Sequence, residues 1–283
     1  MPSRIARERA ARVDGLKPLA EKARRNLDAG GNLETVMGTI SPPTSFSWKD
    51  AEAALLAAKN FGDEADPHAS FAWATLALAI LGLIERDAHG IVGRFQRRLL
   101  QGSRHGKRLE GYAYVVRGAS AVELGRLDEA QEDLEAAHTA YSAARVGERE
   151  ALQVNLRLVN LQLVRQDWQQ AEWLAETTLH RLSRVGTSAD RAECSLLLAH
   201  AQFGMGQLEA ALDSIREALR NADSRESFIR ARAYLLKARV ELENNLPRDA
   251  TDDLNAARAL FLRIGNQRGL HDCETVRDRI EQA

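Results

Sequence analysis

The sequence predicts an all-α fold, a solenoid of antiparallel helix pairs. Three observations carry that expectation. A short phrase recurs, ending in Ala130, Ala171, Ala211 and Ala250, so that its copies lie 41, 40 and 39 residues apart. A fixed period of this size marks stacked supersecondary units, each too small to bury its own apolar face. Twelve residues before each closing alanine stands Gly118, Val159, Ala199 or Ala238, a small residue that lets a second helix approach closely. Aromatic residues make up only 5% of the 283-residue chain while alanine and leucine abound, a composition that suits helices better than strands.

The elements follow in order. Residues up to about Asn26 read as an amphipathic helix whose apolar side carries Ile5, Val13, Leu16 and Leu19. Gly30-Gly31 and the Ser41–Ser45 stretch with its two prolines read as loops. Ala51, Leu55 and Ala58 keep the phase of the repeat in a faded unit, and Ala79, Ile91 and Phe95 keep it in a second. Phe71 to Ile84 is apolar except for Thr75; at 14 residues it falls short of the roughly 20 that span a bilayer and predicts a buried helix.

Four clear units come next. In the first, Gly125 supplies a turn, and Asp128 and Glu129 fall in the first turn of a new helix, where the helix dipole favours acids. Ala130, Leu134 and Ala137 share one face of that helix, as do Ala171, Ala175 and Thr178, then Ala211, Ile215 and Ala218, then Ala250, Leu254 and Ala257. Gly147, Gly186 and Gly265 each follow an arginine and an apolar residue, which predicts C-caps; the third unit lacks this mark at Asn221-Ala222-Asp223. Leu270 to Gln282 is polar on most sides, as a terminal capping helix is. The expected layout is an N-terminal helix or cap over 1–31, degenerate units over 32–110, four repeats over 111–269 and a capping helix over 270–283.

The helix-turn-helix unit and the phrase Leu124-Gly125-Arg126-Leu127-Asp128-Glu129-Ala130, with its small-residue partners, resemble the tetratricopeptide repeat (TPR) family. A unit near 40 residues is longer than the usual 34. It is similar to the long repeats of kinesin light chains and of bacterial regulators of the MalT kind, and Leu260 to Gly269 is similar to repeat ends in the latter. The resemblance is close over residues 111–270 and poor over 32–110. It implies a right-handed superhelix that binds a protein or peptide without turnover. A second reading is a regulatory module that binds a signal peptide or small effector and controls a transcriptional or signalling partner. In multidomain relatives such an array adjoins a DNA-binding or signalling domain; neither is read here, so the chain resembles the repeat region alone.

In such an array the first helix of each unit lines the concave side. The resemblance then places Ile80, Ala119, Asn160, His200 and Arg239 in one inward row, and Trp73, Tyr112, Gln153, Glu193 and Arg232 two turns earlier on the same face. Tyr112, Gln153, Asn160, Glu193, His200, Arg232 and Arg239 are the candidate partner-binding residues; their other reading is a solvated polar face. Asn160 and Arg232 match in kind the residues with which TPR clamps hold a terminal carboxylate, but the basic set is incomplete. A basic run, Arg94, Arg97, Arg98, Arg104, Lys107 and Arg108, has no acid between Asp87 and Glu110. It is either a patch for an acidic partner or phosphate, or a solvated helix with an exposed turn at Gly102–Gly106.

The net charge of −1 exerts no global pull on nucleic acid, and no aromatic residues interleave the basic run, so a nucleic-acid partner is not expected. The seven histidines show no HExxH or other metal pairing, and neither GxSxG nor a phosphate loop occurs. Catalysis, metals and cofactors are therefore not expected. Cys194 and Cys273 fit no metal spacing or disulfide framework, and the basic N-terminus lacks the apolar stretch of a signal peptide, which together predict a cytoplasmic protein with no membrane span.

Overall fold

The computed structural model describes residues 4–40, 46–63, 66–87, 104–223 and 227–282. Among these, thirteen helices and no strands are found. The protein divides into two compact units, Met1–Arg157 and Leu158–Ala283. The division falls inside a helix.

The first unit holds α1 (Arg4–Asp28), α2 (Leu33–Thr39), α3 (Trp48–Asp63), α4 (Pro67–Asp87), α5 (Arg104–Glu123), α6 (Leu127–Ala144) and the start of α7 (Glu148–Val164). Ala51, Leu55 and Ala58 of α3 are buried in the register of the repeat. Helix α4 is the hub of this unit, with α1, α2, α3 and α5 all packed against it. That packing overturns one sequence expectation. Trp73 and Ile80 do not face a groove; they are 5% and 0% exposed, and Trp73 stacks on Phe61 with ring centroids 6.5 Å apart. The physical reason is that α4 is enclosed by four neighbours, whereas a helix of a regular repeat keeps one face open. Helix α4 also extends beyond the 14-residue apolar run. Its segment Pro67–Ile84 is long and apolar enough to cross a membrane, and 83% of that segment is buried within the protein. Its apolar surface is therefore accounted for by packing, not by shortness. Ile91, Phe95, Arg94, Arg97 and Arg98 lie outside the described residues.

The second unit continues from α7 through α8 (Trp168–Val185), α9 (Ser188–Gly204), α10 (Leu208–Asn221), α11 (Ser227–Glu243), α12 (Pro247–Ile264) and α13 (Gln267–Glu281). Its helices pair as α9 with α10 and α11 with α12, and α13 closes on α12. One buried cluster joins Leu196, Ala199, Ala211, Ile215, Ala218, Ala233, Leu236 and Val240; the next joins Ala238, Ala250, Leu254, Ala257, Phe261, Cys273 and Val276. Each helix thus shares its apolar face between two neighbours, which is how short units of a solenoid reach a continuous core.

The phrase works through its closing alanine and its turn. Ala130, Ala171, Ala211 and Ala250 are all fully buried. A Cβ added at Gly118 would sit 3.2 Å from Leu134 and 3.3 Å from the Ala130 carbonyl oxygen, so only a small side chain fits between α5 and α6. Five residues before each alanine, Gly125, Gln166, Gly206 and Asn245 take the left-handed conformation, with φ of 73°, 60°, 75° and 58°. In each case the next residue's N–H reaches back to a carbonyl five residues earlier: Arg126 to Ala121, Asp167 to Gln162, Gln207 to Gln202, Leu246 to Glu241. This satisfies carbonyls that the helix end leaves without partners.

The three predicted glycine C-caps divide. Gly265 caps α12 with φ of 71°. After α6 the left-handed residue is Arg145, two positions before Gly147. Gly186 is extended at φ of −82°, because Thr187 next to it begins α9 with a reciprocal hydrogen-bonded cap to Asp190.

A second register feature appears only in three dimensions. Arg117, one residue before Gly118, and Asp133, three residues after Ala130, form a buried ion pair across α5 and α6. Lys237 and Asp253 occupy the same positions in the last unit, 2.6 Å apart. In the intervening units those positions hold Leu158 and Leu174, then Leu198 and Ser214.

Candidate functional site

In the second unit, α9, α11 and α13 come into contact in sequence, so first helices of adjacent pairs lie side by side. His200 and Glu193 stand on α9, Arg232 and Arg239 on α11, all half-buried. Asn160, also half-buried, holds the same register on α7 one pair earlier. Burial, with the nearby Arg232 and Arg239 charges adding to it, drives the His200 pKa down to about 3. Its imidazole is therefore neutral at physiological pH, with one ring nitrogen to donate and one to accept.

Arg239 lies with its guanidinium carbon 5.2 Å from the centroid of the Phe203 ring on α9. Arg232 makes the corresponding approach to Phe228, at 5.7 Å. Burial lowers the Arg239 pKa, the Arg279 charge lowers it further, and Asp272 and Glu243 oppose the shift. Glu243 is itself engaged with Arg279, 2.7 Å away, and no carboxylate among the described residues forms an ion pair with Arg239. The face thus presents a neutral imidazole and two arginines laid on aromatic rings, a set that donates hydrogen bonds to carboxylates or to backbone carbonyls.

Tyr112 and Gln153 belong to the first unit, so the two predicted rows are split between units. Gln153 is half-buried on α7. Tyr112, 36% exposed on α5, lines a half-open groove of about 560 Å³ with residues of α1 and α3. Sequence reasoning missed that groove, because its walls come from the N-terminal helix and from α3, which carries no strong repeat signal. The signal available was the exposed apolar spacing of Ile5 and Leu56.

The described part of the basic run is less open than its sequence suggests. Lys107 bonds Glu110 at 2.6 Å, and Arg108 lies 3.5 Å from Glu150 of α7. The turn expected at Gly102–Gly106 is replaced, from Arg104 onward, by the first residues of α5, with Gly106 buried in it. Arg104 remains exposed.

Both cysteines are free, buried thiols. Burial raises the Cys194 pKa to about 12, and its S–H donates to the Ala175 carbonyl at 3.3 Å. Such a thiol is not poised as a nucleophile. Among the described residues no group of three or more His, Cys, Asp or Glu side chains is placed to hold a metal ion.

No family model and no curated protein matches the sequence. Among solved structures the chain is similar to BtubC (BKLC) from P. vanneervenii, with a TM-score of 0.52 at 14% identity over 91% of this chain and 92% of that one. The TPR2AB domain of yeast Sti1, solved as a pHSP90 complex, matches with a TM-score of 0.40 at 13% identity over 82% of this chain and 98% of that one. A tetratricopeptide repeat protein from Parabacteroides merdae matches with 0.46 at 14% identity over 95% and 98%. The chain has a TPR-like fold. At this identity the likeness is one of fold, and the TPR-like helix pairs are what place the side chains described above.

Proposed function

We propose that this chain is a non-catalytic scaffold that binds a protein or peptide through open faces of its helix pairs. The observation that carries the reading is the α9–α11 face, where Arg232 and Arg239 gather about a neutral His200 and Arg239 has no carboxylate partner. Holding an arginine half-buried without a counter-ion costs desolvation, and an incoming acceptor offsets that cost. Asn160 and Glu193 extend the same face in register and would set the orientation of an extended segment. The phrase residues themselves serve packing and turn formation, so specificity rests on the side chains they align.

The test is co-purification with the full chain against a variant carrying Asn160→Ala, His200→Ala and Arg239→Ala together. The reading expects partners recovered by the parent to be lost by the variant at unchanged helicity and melting temperature. Recovery of the same partners in the same amounts would refute the assignment of this face.

A further inference from the structure

We infer that the groove between α1, α3 and α5 is a second binding site, which takes an acidic amphipathic helix from a partner protein. Three of the ten large apolar side chains exposed on the described surface converge there: Ile5 at 64%, Leu56 at 39% and Tyr112 at 36% exposure. Leu109, one turn before Tyr112 on α5, completes the apolar floor. Isolated exposed apolar residues need no explanation, but a contiguous set in a concave, 560 Å³ groove marks a contact surface.

The rim selects the partner's charge. Arg9 on α1 and Lys49 and Lys59 on α3 line the groove, and none of them forms an ion pair among the described residues. The remaining charges on the rim are already engaged. Arg12 holds Asp50 at 2.6 Å, Glu52 faces His105 at 3.0 Å, and Glu8, the other acid lining the groove, is also engaged. Arg9, Arg12, Lys49 and Lys59 line the groove against the two acids Glu8 and Glu52, so its excess charge is positive.

Geometry favours a helix as the occupant. Lys49, Ala53, Leu56 and Lys59 recur on one face of α3, and Ile5, Arg9 and Arg12 on one face of α1. Two helical walls with an apolar floor accept the apolar stripe of a third helix, and the flanking cations then meet acids beside that stripe. A second copy of the chain docked through the same groove would set these cations against their own equivalents, because a two-fold interface is self-complementary. That repulsion disfavours self-association here.

The experiment selects random 16-residue peptides on the full chain by display, then measures fluorescein-labelled winners by polarisation. The expected winners carry large apolar residues three and four apart, flanked by Asp or Glu. Their affinity should fall about tenfold or more with Arg9→Glu, Lys49→Glu and Lys59→Glu combined, weaken with added salt, and fall similarly with Leu56→Asp. It should survive Asn160→Ala, His200→Ala and Arg239→Ala together, which separates this site from the α9–α11 face. All of these residues are at the surface or half-buried, and circular dichroism checks that the variants fold. The inference is overturned if no peptide is enriched, if winners lack acids, or if the charge reversal leaves binding intact. It is equally overturned if the chain dimerises in sedimentation through Leu56, or if oleate binds the groove and acidic peptides do not.

Discussion

Removing the acid from the Arg117–Asp133 pair should destabilise the first unit far more than removing both partners. Asp133 is 4% exposed at its side chain and Arg117 15%. The pair is bidentate, with Arg117 Nε donating to Oδ2 at 2.8 Å and Nη2 donating to Oδ1. The guanidinium is further enclosed by the Phe71 and Tyr114 rings, 5.8 and 5.5 Å from it. Asp133→Ala leaves that cation buried with no counter-ion, which costs about 3–5 kcal/mol. The intact pair is itself expensive: burial, only partly offset by Arg117, holds the Asp133 carboxyl above its usual pKa. Replacing both by leucine reproduces the Leu158 and Leu174 pair that stands in the same register one unit later. The double variant should therefore lie within about 1 kcal/mol of the parent or above it. Urea denaturation of the parent and both variants, followed by circular dichroism, measures both quantities. A cost below about 1 kcal/mol for Asp133→Ala, or a double variant as unstable as the single, would refute this account of the pair.

Three further outcomes are expected. Gln166 takes a left-handed conformation that Gly125 and Gly206 take freely in sister units, so Gln166→Gly should raise stability by about 0.5–1 kcal/mol, read as a higher denaturation midpoint. A Cβ on Gly269 would lie 2.4 Å from the Phe261 ring, itself 1% exposed, so Gly269→Ala should lower the melting temperature through a loss of about 1–3 kcal/mol, despite alanine's better helix propensity. Burial, helped by Asp253 and opposed by Lys237, raises the Glu241 pKa to about 7. The folded chain then holds a proton that the unfolded chain has released, so this residue's contribution to stability is greatest below about pH 4.5 and declines as pH rises toward 7; Glu241→Gln should flatten that part of a melting-temperature profile.

The repeat was legible because its residues interact with neighbours close in sequence. Ala130, Leu134 and Gly118 meet across a single helix pair, and each residue's size announces its role. The left-handed turn was legible at Gly125 and Gly206, and the same turn is held by Gln166 and Asn245, whose types do not reveal it. The α9–α11 row could be aligned by counting, but the neutral state of His200 and the stacking of Arg239 on Phe203 depend on how two pairs abut. Reading Trp73 and Ile80 by the same count failed, because α4 is packed on by four helices and no face of it remains open.

The sequence by itself determined an all-α array, its period and the small residues that seat one helix on the next, since these follow from contacts within one unit of about 40 residues. Only the tertiary structure decided which helix faces stay open. It engaged Lys107 with Glu110 and Arg108 with Glu150, buried a pair of charges at Arg117 and Asp133, and brought Ile5, Leu56 and Tyr112 into one groove. Those outcomes join residues some 16 to more than 100 positions apart, Lys107 and Glu110 excepted. Desolvation and charge at such places are set by neighbours from other helices, and no local periodicity encodes them.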